Sequence, residues 1–199
     1  ECYNEWTFNG YEGKPTYVDV YSAADEVELF INGLSQGRKA AGKANRYKAR
    51  FQVNYEPGTI LAVSYNKIKD ESGQDYQEVS RQELKTAGQA AGIRIRLEKS
   101  CLKADGQSLA YALVEIVDKD GIRVPFDDYK VKAQVKGPAT LVAFGSARPA
   151  TEENYTSGEF TSYNGKLQAI ICSGYEKGQA ELVVSSDELG EVKVPIDIV

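Results

Sequence analysis

Histidine is absent from all 199 positions. That excludes a Ser-His-Asp or Cys-His nucleophile, an imidazole general base and any His-ligated metal centre. Methionine is absent too, so the chain is expected to be a processed product or an excised piece of something longer, the second being favoured. Its first residues do not form the charged-then-apolar pattern of a secretory leader. No apolar run approaches the ~20 residues of a membrane-spanning helix, and no membrane insertion is expected. Cysteine is scarce: Cys2, Cys101 and Cys172 are far apart and form no CxxC pair. Zinc and redox motifs therefore have no support, and no cofactor is expected. Cys101 and Cys172 lie in strand-like SCLKA and AIICSG, where small buried thiols are the expectation. A disulfide between those two stays open.

What is present is ordinary for a globular chain, with 42% hydrophobic and 27% charged residues. The net charge of −5 is spread over both halves. It leaves no basic footprint, and nucleic acid is excluded as a partner.

The period of the pattern is that of strands. TYVDVYS, EVELFING, ARFQVNY, TILAVSYN and QEVSRQELK alternate in the first half. GIRIRLE, LAYALVEIVD, YKVKAQVKG, TLVAFG, LQAIICSG, AELVVSS and EVKVPIDIV continue the style in the second. ADEVEL or SRQEL has room for at most a turn of helix. The small, uncharged TAGQAAG, Thr86 to Gly92, is where few contacts would cross. The expected architecture is all-β: two tandem immunoglobulin-like antiparallel β-sandwich domains, residues 1–88 and 89–199. Glu56-Pro57-Gly58 has the chemistry of a type II turn. Asp118-Lys119-Asp120-Gly121 resembles the start of a calcium loop but lacks the later ligands and the closing Glu, so a turn is favoured.

Three groups of residues invite a chemical reading. In DEVELFINGLSQGR, Asp25, Glu26 and Glu28 are crowded carboxylates. Strand alternation puts Val27, Leu29 and Ile31 on the inward face and leaves Glu26, Glu28 and Phe30 outside, ahead of an Asn32-Gly33 hairpin. A glycosidase pair needs two carboxyls across a sugar, one of them in a pocket that raises its pKa. Adjacent glutamates on an exposed strand offer no such pocket. Arg38, Lys39, Lys43, Arg46, Lys48 and Arg50 form a basic run interleaved with Tyr47 and Phe51. It is either the solvated face of a hairpin, which is favoured, or a site for an acidic polysaccharide or neighbour. Tyr3, Trp6, Phe8 and Tyr11 crowd the amino-terminal segment. Such rings pack against a neighbouring domain or stack on sugars, and packing is favoured.

EWTFNGYEGKPTYVDVYSAADEVELFINGLSQGR resembles the segment that follows the catalytic barrel in bacterial glycoside hydrolase family 2 enzymes, chiefly β-galactosidase-like ones. The likeness rests on Trp6, Gly10, Glu12-Gly13-Lys14, Glu28-Leu29-Phe30, Asn32-Gly33 and Gly37-Arg38. YEPGTILAVSY is similar to the next hairpin of that module. LKADGQSLAYALVEIVDKDG, GPATLVAFGSARP and NYTSGEFTSYNGKLQAIICS resemble strands and a loop of the family's carboxy-terminal module. The resemblance implies a non-catalytic accessory region, because the family's two catalytic glutamates lie on barrel segments with no counterpart here. It further implies that the partner is the catalytic barrel of the same parent chain, with roles in supporting it, shaping the rim of its cleft or making oligomer contacts. Tyr3, Trp6, Phe8 and Tyr11 would be the barrel-facing or sugar-contacting residues. The alternatives are a carbohydrate-binding module with polysaccharide as partner, or an adhesin-type immunoglobulin-like repeat.

Overall fold

The computed structural model describes residues 4–70 and 73–199. They form two compact units, Glu1–Thr86 and Ala87–Val199. Cys2 and Tyr3 lie outside the described residues.

The first unit contains β1 (Pro15–Tyr21), β2 (Glu26–Ile31), β3 (Leu34–Ala40), β4 (Lys48–Asn54), β5 (Thr59–Asp70) and β6 (Gly73–Lys85). A two-stranded sheet, β1-β4, and a four-stranded sheet, β3-β2-β5-β6, carry them. Every pairing is antiparallel. The ADEVEL and SRQEL segments are strand rather than helix, because each pairs through its backbone along most of its length with β5. The one helical turn among the described residues of this unit is a 3-10 turn, Lys43–Asn45. It is followed by Arg46 and Tyr47 in left-handed conformation, with φ of 55° and 60°.

Alternation decides which side chains fill this unit. On β2, Val27, Leu29 and Ile31 are buried while Glu26, Glu28 and Phe30 are not. On β4, Ala49, Phe51 and Val53 do the same. Together with Trp6, Ala41, Tyr55 and Ile60 they make one core. Each large aliphatic or aromatic side chain removed from water there contributes about 1.5–3 kcal/mol.

The second unit contains β7 (Ala90–Leu97), β8 (Cys101–Leu102), β9 (Leu109–Asp118), β10 (Lys130–Lys136), β11 (Ala139–Gly145), β12 (Glu159–Thr161), β13 (Lys166–Ser173), β14 (Gly178–Ser186) and β15 (Gly190–Ile198). Its sheets run β12-β10-β14-β15-β8 and β11-β13-β9-β7. The pairing of β15 with β8 is parallel, an exception to the antiparallel expectation. Ala110, Ala112, Val114 and Ile116 face Leu182, Val184 and Ile196 in one core, which Phe144 and Phe160 also enter. The alternation expected for a sandwich is therefore present in both units.

One open question about the cysteines is answered and one expectation, burial, changes. Cys101 and Cys172 are both free thiols, so no disulfide joins them. Neither is fully buried: Cys101 is exposed and Cys172 intermediate. The two-residue β8 leaves the Cys101 side chain on the outer face while Leu102 turns inward.

At Asp118, the turn reading is the one the structure shows. The Asp118 carboxylate accepts backbone N–H groups from Gly88 at 2.7 Å, Asp120 at 2.9 Å and Ile122 at 2.8 Å. Burial opposes its ionisation, but these donors outweigh that and hold its pKa below the ordinary value. Its oxygens are committed to the turn they close.

Candidate functional site

The amino-terminal aromatic segment is irregular backbone, and side chains distant in sequence fix its path. Trp6 donates its indole N–H to the Glu56 carbonyl at 2.9 Å. Its ring meets Tyr55 edge-on at 5.0 Å and Phe8 at 6.2 Å between centroids. The Phe8 amide donates to the Tyr55 hydroxyl at 3.1 Å, and the Thr86 hydroxyl donates to the Trp6 carbonyl at 2.6 Å. Edge-to-face contacts of this kind each add about 0.5–1.5 kcal/mol beyond area burial. Trp6 is consequently only 4% exposed. Tyr11 remains outside at 59%, with the Lys14 ammonium 4.4 Å from its ring centre. The four sequence candidates thus divide: Trp6 and Phe8 are brought together, Tyr11 stands apart at the surface, and Tyr3 is outside the described residues.

Beside Trp6 runs a groove of about 710 Å³, with Asn4, Trp6 and Phe8 at one side and β1 along another. Its apolar lining includes Val18, Val20, Ala62 and Leu84. Among the described residues β1 pairs with β4 alone, and the run Thr16 to Tyr21 lines this space with both of its faces. Tyr17, Asp19 and Tyr21 line the groove as well. In cross-strand register these residues oppose Gln52, Arg50 and Lys48 on β4. Arg50 grips the Asp19 carboxylate with two N–H groups at 2.6 and 2.7 Å, and Lys48 reaches it at 2.7 Å. The Arg50 hydrogen bonds, helped by Lys48, hold Asp19 far below the usual carboxylate range against the opposing effect of burial. Sequence reading missed this group. Its signal was there in PTYVDVY, where alternation puts two tyrosines and an aspartate on the outward face of one strand.

The acidic triplet and four members of the basic run, Arg38, Lys39, Lys48 and Arg50, are engaged in structural contacts. Glu28 accepts from the Ser35 hydroxyl at 2.7 Å and from Arg38 at 3.0 Å. The Ser35 bond, then Arg38, lower its pKa despite desolvation. Arg38 also lies over the rings of Tyr65 and Tyr76. Glu26 takes Lys67 at 3.2 Å, and Asp25 accepts the Lys67 amide at 2.8 Å. Glu78, Asp105, Asp118 and Glu153 are shifted downward like Asp19 and Glu28. A glycosidase acid needs the opposite shift, a carboxyl kept protonated near neutral pH. Among the described residues no group of three Cys, Asp or Glu side chains is placed to hold a metal ion.

Two strand-built sandwiches, cored by alternating residues and with no α-helix among the described residues, define a tandem immunoglobulin-like β-sandwich protein. The chain belongs to the glycoside hydrolase family 2 C-terminal domain 5 family, whose model matches residues 93–195. A second model, for a domain of unknown function, matches residues 13–70. The chain is 33% identical over 176 residues to the β-galactosidase BoGH2A of Bacteroides ovatus, covering 88% of this chain and 20% of that protein. A putative β-glucuronidase of Formosa agariphila is 29% identical, over 85% of this chain and 16% of its own length. Among solved structures, a glycosyl hydrolase family 2 member from Bacteroides cellulosilyticus superposes with a TM-score of 0.88 at 30% identity. That alignment covers 99% of this chain and 24% of the other. The chain thus spans a quarter or less of the length of these relatives.

Proposed function

We propose that this chain is the non-catalytic carboxy-terminal accessory region of a family 2 glycosidase, β-galactosidase-like in its parent activity. The observation that carries the reading is coverage: almost the whole chain aligns with a relative that is a β-galactosidase, yet occupies only 20% of it. The carboxylates support it from the chemical side, since those with a resolved shift are held ionised by hydrogen bonds and ion pairs. In this reading the partner is the catalytic barrel of the same parent chain, which the two sandwiches support. The segment holding Trp6, Phe8 and Tyr11 faces that barrel. Trp6 and Phe8 anchor the segment to its own unit, and Tyr11 supplies the exposed ring.

The test is a comparison of the isolated chain, the full-length parent and a parent truncated before this region. The chain alone should hydrolyse neither nitrophenyl galactoside nor nitrophenyl glucuronide above the blank. The truncated parent should melt at a lower temperature than the intact one. Turnover that co-purifies with the isolated chain in proportion to its amount would refute the non-catalytic assignment, and an unchanged melting temperature would refute the supporting role.

A further inference from the structure

Two tyrosines on β1 stand out by exposure: Tyr17 at 63% and Tyr21 at 66%. Both belong to the outward-facing set of one strand, four residues apart. At a rise of ~3.4 Å per residue the rings are rooted about 14 Å apart, the reach of a short oligosaccharide. Each has a cation from β4 beside it, Arg50 5.3 Å from the Tyr17 ring centre and Lys48 5.8 Å from that of Tyr21. Both cations are also bound to Asp19, which lies between the tyrosines. Aromatic surface and hydrogen-bonding groups therefore alternate along this face of the strand, while Val18 and Val20 point to its other face, against the core, and line the groove from there.

We infer that this face of β1, with the groove beside it, is a binding site for a neutral oligosaccharide. Tyrosine presents a flat apolar face with a polar tip, the chemistry that accepts the C–H face of a pyranose while leaving its hydroxyls wet. Near the two rings, the Arg50 guanidinium keeps N–H groups and the Asp19 carboxylate keeps acceptor capacity beyond those used in their mutual pair. Charge bears on the ligand class: Lys48 and Arg50 are both paired with Asp19, and Glu5 also lines the groove, so the cations beside the tyrosines are offset by carboxylates. An anionic polysaccharide gains no advantage there, which goes against the less favoured of the two readings of the basic run. The volume of about 710 Å³ lies within the ~300–1,000 Å³ range of small-ligand clefts. The inference goes beyond the accessory role and is decided on this chain without its parent.

The experiment is calorimetric titration of the chain with neutral galactan, xylan and glucan oligosaccharides, with polygalacturonate as the anionic comparison. Saturable binding of at least one neutral glycan is expected, with little dependence on salt. The double substitution Tyr17→Ala, Tyr21→Ala should weaken it roughly tenfold or more, while Tyr175→Ala, at an 80% exposed ring in the other unit, leaves it unchanged. Both tyrosines are surface residues, and unchanged Trp6 fluorescence confirms that the double variant is folded. Failure of every neutral glycan to saturate at millimolar concentration overturns the inference, including the case in which β1 instead pairs with a second copy of the chain. Binding that survives the double substitution, or that is confined to polygalacturonate and vanishes with salt, overturns it as well.

Discussion

Trp6 is the only tryptophan, and its surroundings explain why a single substitution there reaches far. Its indole N–H is satisfied by Glu56, its carbonyl by Thr86, and its ring by Tyr55 and Phe8. Trp6→Ala should destabilise the first unit by about 3–5 kcal/mol, the range for truncating a large buried aromatic. Urea unfolding followed by far-ultraviolet circular dichroism measures this. Trp6→Phe keeps most of the ring and loses one hydrogen bond, so it should cost less than Trp6→Ala. A midpoint unmoved by Trp6→Ala would mean that the ring serves only an external partner. Sequence reading had this residue among a crowd of aromatics, but its burial was not legible there. Alternation rules speak only for regular strands, and the Trp6 segment is irregular backbone fixed by groups on other parts of the chain. Glu28 is the opposite case, because strand alternation alone places its side chain outside, where Ser35 and Arg38 meet it.

At the level of elements, the β2–β3 hairpin is the most legible part of the fold. Asn32 and Gly33 both take positive φ, 50° and 80°, as a two-residue turn of the primed type requires. The Asn32 side chain does more than turn the corner. Its Oδ1 accepts the Thr59 amide at 2.8 Å and its amide nitrogen donates to the Pro57 carbonyl at 3.1 Å, so it also fixes the turn between β4 and β5. Gly58 in that turn has a φ of 128°, and a Cβ built there would collide with the Asn32 carboxamide. Gly58→Ala is therefore expected to strain both turns, at a cost of about 1–3 kcal/mol from the backbone conformation alone. A thermal melt of the variant checks it, and a melting temperature equal to that of the unsubstituted chain would show that the turn can relax. Other elements could not be read from the pattern. β3 is exposed along its whole length, so LSQGRKA carries no burial alternation to detect. β8 and β12 have two and three residues, too short for a period to appear.

At the scale of the whole molecule, the two units have separate cores that share no residue among those described. One gathers around Phe51, Tyr55 and Trp6, the other around Phe144, Phe160 and the alternating residues of β9 and β14. Trp6 belongs to the first, so tryptophan fluorescence reports that unit's unfolding, whereas circular dichroism reports strands of both. Phe160 is fully buried in the second core and stacked on Tyr155 at 4.7 Å between centroids. Truncating it should cost about 3–5 kcal/mol, all of it in the second unit. If each core folds as its own cooperative block, Phe160→Ala will shift part of the dichroism transition to lower urea and leave the fluorescence midpoint where it was. Trp6→Phe will not serve for the reciprocal experiment, because it removes the reporter. Phe51→Ala, at 1% exposure in the first core, will instead move the fluorescence transition and spare the remaining dichroism step. Coincident movement of both signals in either variant would show that the two sandwiches unfold as one block, and that a support role could be transmitted through the chain from either unit.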